Sequence, residues 1–211
     1  MNTAQRIANS LLDIQAVTLS PDVPYTWASG IKSPIYCDNR ITMSYPVIRR
    51  DIAKSLVELI NKEYPGVEVI AGTATAGIPQ ACWVADLMDL PMVYIHSSAK
   101  DHGKQNQIEG RIKPGQKMVI IEDLISTGGS VLDACEAAKR EGAEVLGVAA
   151  IFTYQLPKGI ANFAAQNIRF YTLTNYEILI EEALNKGSIQ AKDLDTLKAW
   201  KQNPAEWKKE G

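Results

Sequence analysis

Residues 118–130 read Met-Val-Ile-Ile-Glu-Asp-Leu-Ile-Ser-Thr-Gly-Gly-Ser, a β-branched apolar run that meets two adjacent carboxylates and gives way to small hydroxyl residues and glycines. The uninterrupted run 118–121 predicts a central parallel strand covered on both faces. From Ser130 to Arg140 the apolar positions Val131, Leu132, Cys135 and Ala138 recur at helical spacing. A strand, a small-residue loop and a helix therefore follow one another. Gly128 and Gly129 allow a tight backbone and close approach, Ser126, Thr127 and Ser130 supply hydroxyls, and the helix aims its first amides at the same spot. That combination binds an anion, and a phosphate fits it.

Glu122 and Asp123 then stand beside an anion, which asks for a ligand that carries hydrogen-bond donors as well as a phosphate. The vicinal hydroxyls of a ribose 5-phosphate satisfy the acids and the loop together. The plainer alternative is that Asp123 caps the loop and Glu122 is solvated at a sheet rim. The string is neither the Walker pattern nor the dinucleotide fingerprint Gly-x-Gly-x-x-Gly.

Around this string the chain alternates. A helix is predicted over 46–63, with Pro46 in its first turn and Ile48, Ile52, Leu56, Leu59 and Ile60 on one stripe. Strand 67–71, helix 78–88, strand 92–95, the central strand with its helix, and strands 145–153 and 170–173 follow. Such alternation means an α/β fold with a central parallel sheet flanked by helices. Helical patterns over 177–184 and 191–201 close the chain, and 204–211 reads as a frayed end. Before the sheet, 1–14 carries an amphipathic helix pattern. Short strand candidates at 25–27 and 35–37 flank Ser-Gly-Ile-Lys-Ser-Pro as a hairpin or small N-terminal hood.

With 211 residues, 46% of them hydrophobic and 22% charged, the chain suits one enzyme domain over 1–211, with the hood at about 1–40. A net charge of −2 argues against a nucleic-acid footprint or a polybasic membrane patch. Without an apolar stretch near the ~18 residues of a membrane span, or a secretion-signal core, the expectation is a cytoplasmic protein. Cys37, Cys82 and Cys135 are too few and too scattered for a disulfide framework or zinc site; Cys82 and Cys135 read as small apolar fillers within helices.

Ligands of an open parallel sheet sit beyond the carboxyl ends of its strands. The loop 72–79, Gly-Thr-Ala-Thr-Ala-Gly-Ile-Pro, lies at one such end and offers a second nest of amides, although small-residue turns between strand and helix are also structurally ordinary. The segment 97–110 is long and polar and carries Lys100, His102 and Lys104, which suits a mobile lid over a site where negative charge develops.

The 122–130 string resembles the sugar-phosphate motif of the type I phosphoribosyltransferases. Together with Lys-Asp-His-Gly at 100–103 and Tyr-Thr-Trp-Ala-Ser-Gly-Ile-Lys-Ser-Pro-Ile-Tyr-Cys-Asp at 25–38, it resembles the orotate phosphoribosyltransferase family over nearly the whole chain. The resemblance implies the type I phosphoribosyltransferase fold and transfer of the phosphoribosyl group from phosphoribosyl pyrophosphate to orotate. It implies magnesium held mainly by the substrate rather than by protein ligands, and a homodimer in which the lid serves the neighbouring site. Catalytic roles fall on Lys100, Asp101, His102 and Asp123. Phosphoribosyl pyrophosphate would meet His96, Lys100, His102 and the run Glu122, Asp123, Leu124, Ile125, Ser126, Thr127, Gly128, Gly129 and Ser130. Orotate would meet Ser126, Lys32, Ile35 and Tyr36, and the pyrophosphate loop would be Thr73, Ala74, Thr75 and Ala76, with a cis peptide at Ala74-Thr75. The chain departs from the family in having His96 and Ser98 where basic residues are common, and Thr75-Ala76 where some members carry a lysine. A ligand sensor on the same fold would want an added DNA-binding module, and a transferase for another base would be separated by a base screen.

Overall fold

A computed structural model describes residues 1–27, 30–96 and 107–208. Helix α1 (Thr3–Asp13) opens on a capping box in which Asn2 and Gln5 satisfy each other's backbone amides, and its buried stripe of Ile7, Ala8 and Leu11 packs on later elements. Strands β1 (Val17–Leu19), β2 (Tyr25–Thr26), β3 (Lys32–Ser33) and β4 (Ile35–Cys37) follow, then a 3-10 helix over Asn39–Ser44. The main body comprises α2 (Pro46–Glu63), β5 (Val69–Thr73), α3 (Gly77–Met88), β6 (Met92–Ile95), β7 (Ile108–Glu109), β8 (Lys117–Ile125), α4 (Gly129–Arg140), β9 (Glu144–Thr153), α5 (Pro157–Ala165) and β10 (Phe170–Asn175). Helices α6 (Tyr176–Asn185) and α7 (Leu194–Gln202) end it, α7 preceded by a 3-10 turn over Ala191–Asp193.

The six-stranded sheet runs β10-β9-β8-β5-β6-β7, parallel except that β7 is antiparallel to β6. Strand order reverses between β5 and β8, and that switch point is where such sheets bind ligands. Alternation along the strands feeds two cores. Val119, Ile121, Ile70 and Ile151 join Leu56, Val84 and Trp200 on one face, while Met118, Ile120, Val69 and Val148 join Val131, Cys135 and Phe163 on the other. Helices α4 and α5 cover the second face, and α1, α2, α3, α6 and α7 cover the first.

Several expected boundaries shift. The central strand does not stop at the carboxylates but continues to Ile125, because Glu122, Leu124 and Ile125 stay in register with Ala150, Phe152 and Thr153 of β9. The sheet is not wholly parallel: Ile108, within the segment 97–110, is buried and adds an antiparallel edge. In the hood, β4 pairs with β1 rather than with the strand at 25, and β2 pairs with β3. Cys82 is exposed rather than a core filler, whereas Cys135 is buried, its thiol pushed up to about 12 by desolvation. The tail through Lys208 is packed rather than frayed: Trp207 Nε1 donates to Thr196 Oγ1 and Lys208 Nζ to the Pro21 carbonyl. Residues 209–211 lie outside the described residues.

Trp200 of α7 joins the last helix to the hood. It is fully buried, its ring lies 5.6 Å from both Trp27 and Tyr154 and 5.2 Å from Tyr176, and its Nε1 donates to the Lys32 carbonyl at 3.2 Å. Trp200→Ala removes this keystone and leaves that carbonyl without its donor. The expected loss is about 3–5 kcal/mol of unfolding free energy, read as a lower denaturant midpoint with an unchanged slope. A loss below about 1 kcal/mol would mean that the hood is held by other contacts.

Candidate active site

The loop after β8 is shaped from both ends. Gly128 caps α4 in the left-handed region at φ 77°, which glycine adopts at no steric cost, and its carbonyl accepts the Leu132 amide at 3.0 Å. The first amides of α4 have no partner within the helix and face the loop. Helix α5, absent from the sequence expectation, braces the loop from behind. Asn162 Nδ2 donates to the Thr127 carbonyl at 2.9 Å. A Cβ on Gly159 would come within 2.5 Å of the Ser126 carbonyl oxygen, and one on Gly128 within 2.5 Å of the Phe163 ring. A Cβ on Gly129 would meet nothing within 4 Å. The backbone is thus clamped on its inner side and open at Gly129 and Ser130, both exposed. Leu156-Pro157, with proline at the first helical position, was the sequence signal for α5.

The acids sit where β8 leaves the core. Glu122 is 7% exposed, which excludes the solvated-rim reading, and Asp123 is half-buried. Glu122 Oε1 accepts the Asp123 amide at 3.0 Å, and Asn39 Nδ2 donates to the Asp123 carbonyl at 2.7 Å. Desolvation, then the neighbouring Asp123 charge, pushes the Glu122 carboxyl up to about 8, and desolvation also raises Asp123. Both shifts favour the neutral form, so the pair resists carrying two charges at once.

Across the switch point, β5 ends at Thr73 and the Ala74-Thr75 peptide is cis. The Ala74 amide donates to the Ile95 carbonyl at 2.8 Å, and Thr73 Oγ1 donates to the Ile121 carbonyl at 3.2 Å, so this loop is tied to both neighbouring strands. Gly77 is needed there: a Cβ would lie 2.5 Å from the Ile121 oxygen. Ala74 and Ala76 are half-buried and Thr75 is exposed. One residue past β6, His96 exchanges backbone and side-chain hydrogen bonds with Gln107, and its Nε2 lies 3.6 Å from Glu109 Oε1. Lys100, Asp101 and His102, with Lys104 and Ser98, lie outside the described residues.

A cavity of about 300 Å³, within the range of small-ligand pockets, is lined by Thr26, Trp27, Tyr36, Cys37, Leu124, Ser126 and Tyr154. Tyr36, Ser126 and Leu124 from the sequence expectation are brought together here. Lys32 is set to one side, its Nζ 3.3 Å from Thr26 Oγ1. Ile35 is fully buried, its amide accepted by Ser33 Oγ and its carbonyl accepting from Ser33 Oγ and Trp27 Nε1. Trp27 and Tyr154 were missed because they are far apart in sequence and meet only through the fold, their rings 5.4 Å apart. Among the described residues no cluster of three or more His, Cys, Asp or Glu is placed to hold a metal. The hard oxygen donors at the site are Glu122 and Asp123, a set that suits a magnesium ion keeping most of its shell from elsewhere.

The phosphoribosyl transferase domain family matches residues 45–173. The chain is similar to the orotate phosphoribosyltransferase of Enterococcus faecalis, 67% identical over 206 residues and covering 98% of each protein. It is also similar to that of Listeria innocua, 59% identical over 209 residues, covering 99% of this chain and 100% of the relative. The crystal structure of orotate phosphoribosyltransferase from Aeropyrum pernix shares the fold, with a TM-score of 0.74 at 23% identity, covering 83% of this chain and 97% of that one.

The acid pair makes stability depend on pH. Because Glu122 holds its proton more tightly folded than unfolded, its contribution is complete below the ordinary carboxylate range and is lost as pH rises toward about 8. The ligand-free protein should therefore lose stability between pH 5 and pH 8, by on the order of a few kcal/mol relative to Glu122→Gln. Denaturant midpoints of both proteins across that range check this, and parallel curves would refute the buried-proton assignment.

Proposed function

The chain belongs to the orotate phosphoribosyltransferase family, and from that membership we propose how its residues divide the transfer of a phosphoribosyl group from phosphoribosyl pyrophosphate to orotate. The observation that carries this reading is the buried acid pair at the sheet's switch point, with a small-residue loop and the base-sized cavity beside it. The 5-phosphate is held by Ser126, Thr127, Gly128, Gly129 and Ser130 on the braced loop and the amides of α4. The ribose hydroxyls donate to Asp123 and Glu122. The pyrophosphate lies on Thr73, Ala74, Thr75 and Ala76, with His96 at its margin. Trp27, Tyr36, Leu124 and Tyr154 wall the pyrimidine, and Ser126, Thr26 and Lys32 meet its polar edge.

In the reaction a bond forms between the orotate ring nitrogen and C1′ as the C1′–O bond to pyrophosphate breaks, giving orotidine 5′-monophosphate and pyrophosphate. Positive charge develops on the ribose ring at the transition state, and the Asp123 carboxylate favours it. Lys100, Asp101 and His102, on the lid segment, serve the leaving group, the lysine neutralising its charge. Magnesium, when bound with the substrate, supplies charge neutralisation to the phosphate oxygens. The strands β1–β4 act as the hood over the base, and the whole chain works as one catalytic unit.

The working form in this reading is a homodimer whose lid reaches the neighbouring site, in a cytoplasmic setting. Among the described residues no helix is long and apolar enough to cross a membrane.

Loss of orotate absorbance should require phosphoribosyl pyrophosphate and magnesium together, and adenine, hypoxanthine or uracil should not replace orotate. Asp123→Asn should lower kcat/KM by the equivalent of roughly 1.5–3 kcal/mol, the worth of a charged hydrogen bond; unchanged kcat/KM in both Asp123→Asn and Glu122→Gln removes the ribose assignment. For the shared lid, a Lys100→Ala, His102→Ala protein is mixed with Asp123→Asn and subunits are allowed to exchange. Activity should return to about a quarter of wild type, since half the dimers hold one intact site of two. No recovery after demonstrated exchange means that each lid serves its own chain.

A further inference from the structure

Asn39 is 1% exposed and lies just past the hood, at the start of the 3-10 helix, yet its amide donates to the main chain of the acid strand. The direction of every bond around it follows from chemistry. The Asp123 carbonyl can only accept, so Nδ2 must face it at 2.7 Å, and Oδ1 is left to accept the Cys37 thiol at 3.4 Å. Thr42 Oγ1 donates to the Asn39 carbonyl at 2.6 Å, which leaves its lone pair for Gln80 Nε2 at 3.4 Å. Thr42 and Gln80 are buried as well, and Gln80 belongs to α3, the helix that begins at the pyrophosphate loop. Cys37, in turn, lines the base cavity. The Asn39 amide therefore joins the wall of the base cavity to the strand that carries the acids, while its main-chain carbonyl is tied through Thr42 to the helix behind the second anion loop.

We infer that Asn39 is a positioning residue for the ribose-holding Asp123, and that Cys37 holds the Asn39 amide in the orientation this requires. The inference rests on the ribose role given to Asp123 above. A buried amide of fixed polarity is rigid, because flipping it sets two oxygens, Oδ1 and the Asp123 carbonyl, against each other and leaves both the thiol and the carbonyl unsatisfied. The hood thus reaches the acid pair through neutral hydrogen bonds. A cation at this place would pair with the carboxylate and compete with the charge that develops on the ribose; an amide gives position without charge. Arg40, the next residue, is engaged in an ion pair with Asp38 at 2.7 Å, and only its longer-range charge acts on Asp123.

The test measures binding of magnesium phosphoribosyl pyrophosphate by calorimetry, without pyrimidine, together with kcat per titrated site. Asn39→Ala should raise the Kd roughly tenfold with unchanged stoichiometry and lower kcat per site, as loss of one well-placed buried hydrogen bond would. Cys37→Ala should raise the Kd about threefold, Cys37→Ser should restore it, and the double alanine variant should be no worse than Asn39→Ala, since the thiol acts only through the amide. A wild-type Kd and per-site kcat in Asn39→Ala, even with fewer active sites, overturns the inference. If Asn39→Ala does not fold, a wild-type Kd in Cys37→Ala overturns it instead, and a serine-rescued loss supports it. Asp123→Asn, run in parallel, separates the two readings: no effect there removes the ribose role of Asp123 on which this inference rests, whereas an effect there with none at Asn39 removes only this inference.

Discussion

A carboxylate carried inside a parallel strand, rather than after it, is the constraint on which the site depends. Glu122 stays in register with Ala150 of β9 and is shut away from water, so its charge is held off by desolvation and by Asp123 beside it. What surrounds the pair is mostly neutral: Thr73 lies beside Glu122, Asn39 donates to the Asp123 main chain, and Arg40, whose charge reaches Asp123, is already tied to Asp38. The complement of such a pair is a ligand that brings hydroxyl donors and becomes cationic as it reacts. Strand rigidity then matters as much as charge, because acids on a nine-residue strand that stays laddered to β9 past Glu122 have little freedom to shift.

The parts of this arrangement written in contiguous residues were legible in the sequence. Strand, acid pair, glycine loop and helix at 118–140 follow from local chemistry, as does the alternation that dictates the sheet. The parts made by distant residues meeting were not. Tyr154 follows β9, Trp27 follows β2 and Trp200 sits in α7, and only packing makes them neighbours. Pairing of the short hood strands was equally hidden, since two- and three-residue strands carry almost no periodicity and β4 finds its partner in β1, whose Val-Thr-Leu is too brief to stand out. The strand end differs from the sequence expectation for a physical reason: charged residues usually mark a strand's exit into solvent, and here the ladder with β9 carries Glu122 onward to Ile125.

Helix α5 illustrates how a flexible composition acquires a defined shape. Serine, threonine and two glycines leave the loop at 126–130 many conformations, and none of its own side chains selects among them. Selection comes from Gly159, Asn162 and Phe163, which lie against its inner surface and bond or abut Ser126, Thr127 and Gly128. The entropy of ordering the loop is met on folding, which is the advantage of preorganisation for any ligand such a loop holds.

The two margins of the sheet have a bearing on how molecules of this protein behave toward one another at high concentration. An open strand edge is a template for pairing with a foreign strand, and long flat edges seed aggregation. Here the β6 side is finished by the two-residue β7, reversed in direction and too short to template an extended partner, while β10 at the opposite margin is packed against α1. Among the described residues, one margin therefore ends in a strand too short to extend, and the other in a strand supported by a helix. Truncating α1 would strip Ile7, Ala8 and Leu11 from the face of the sheet beside β10 and loosen that terminal strand, so the N-terminal helix, remote from the chemistry, helps to hold the margin in place.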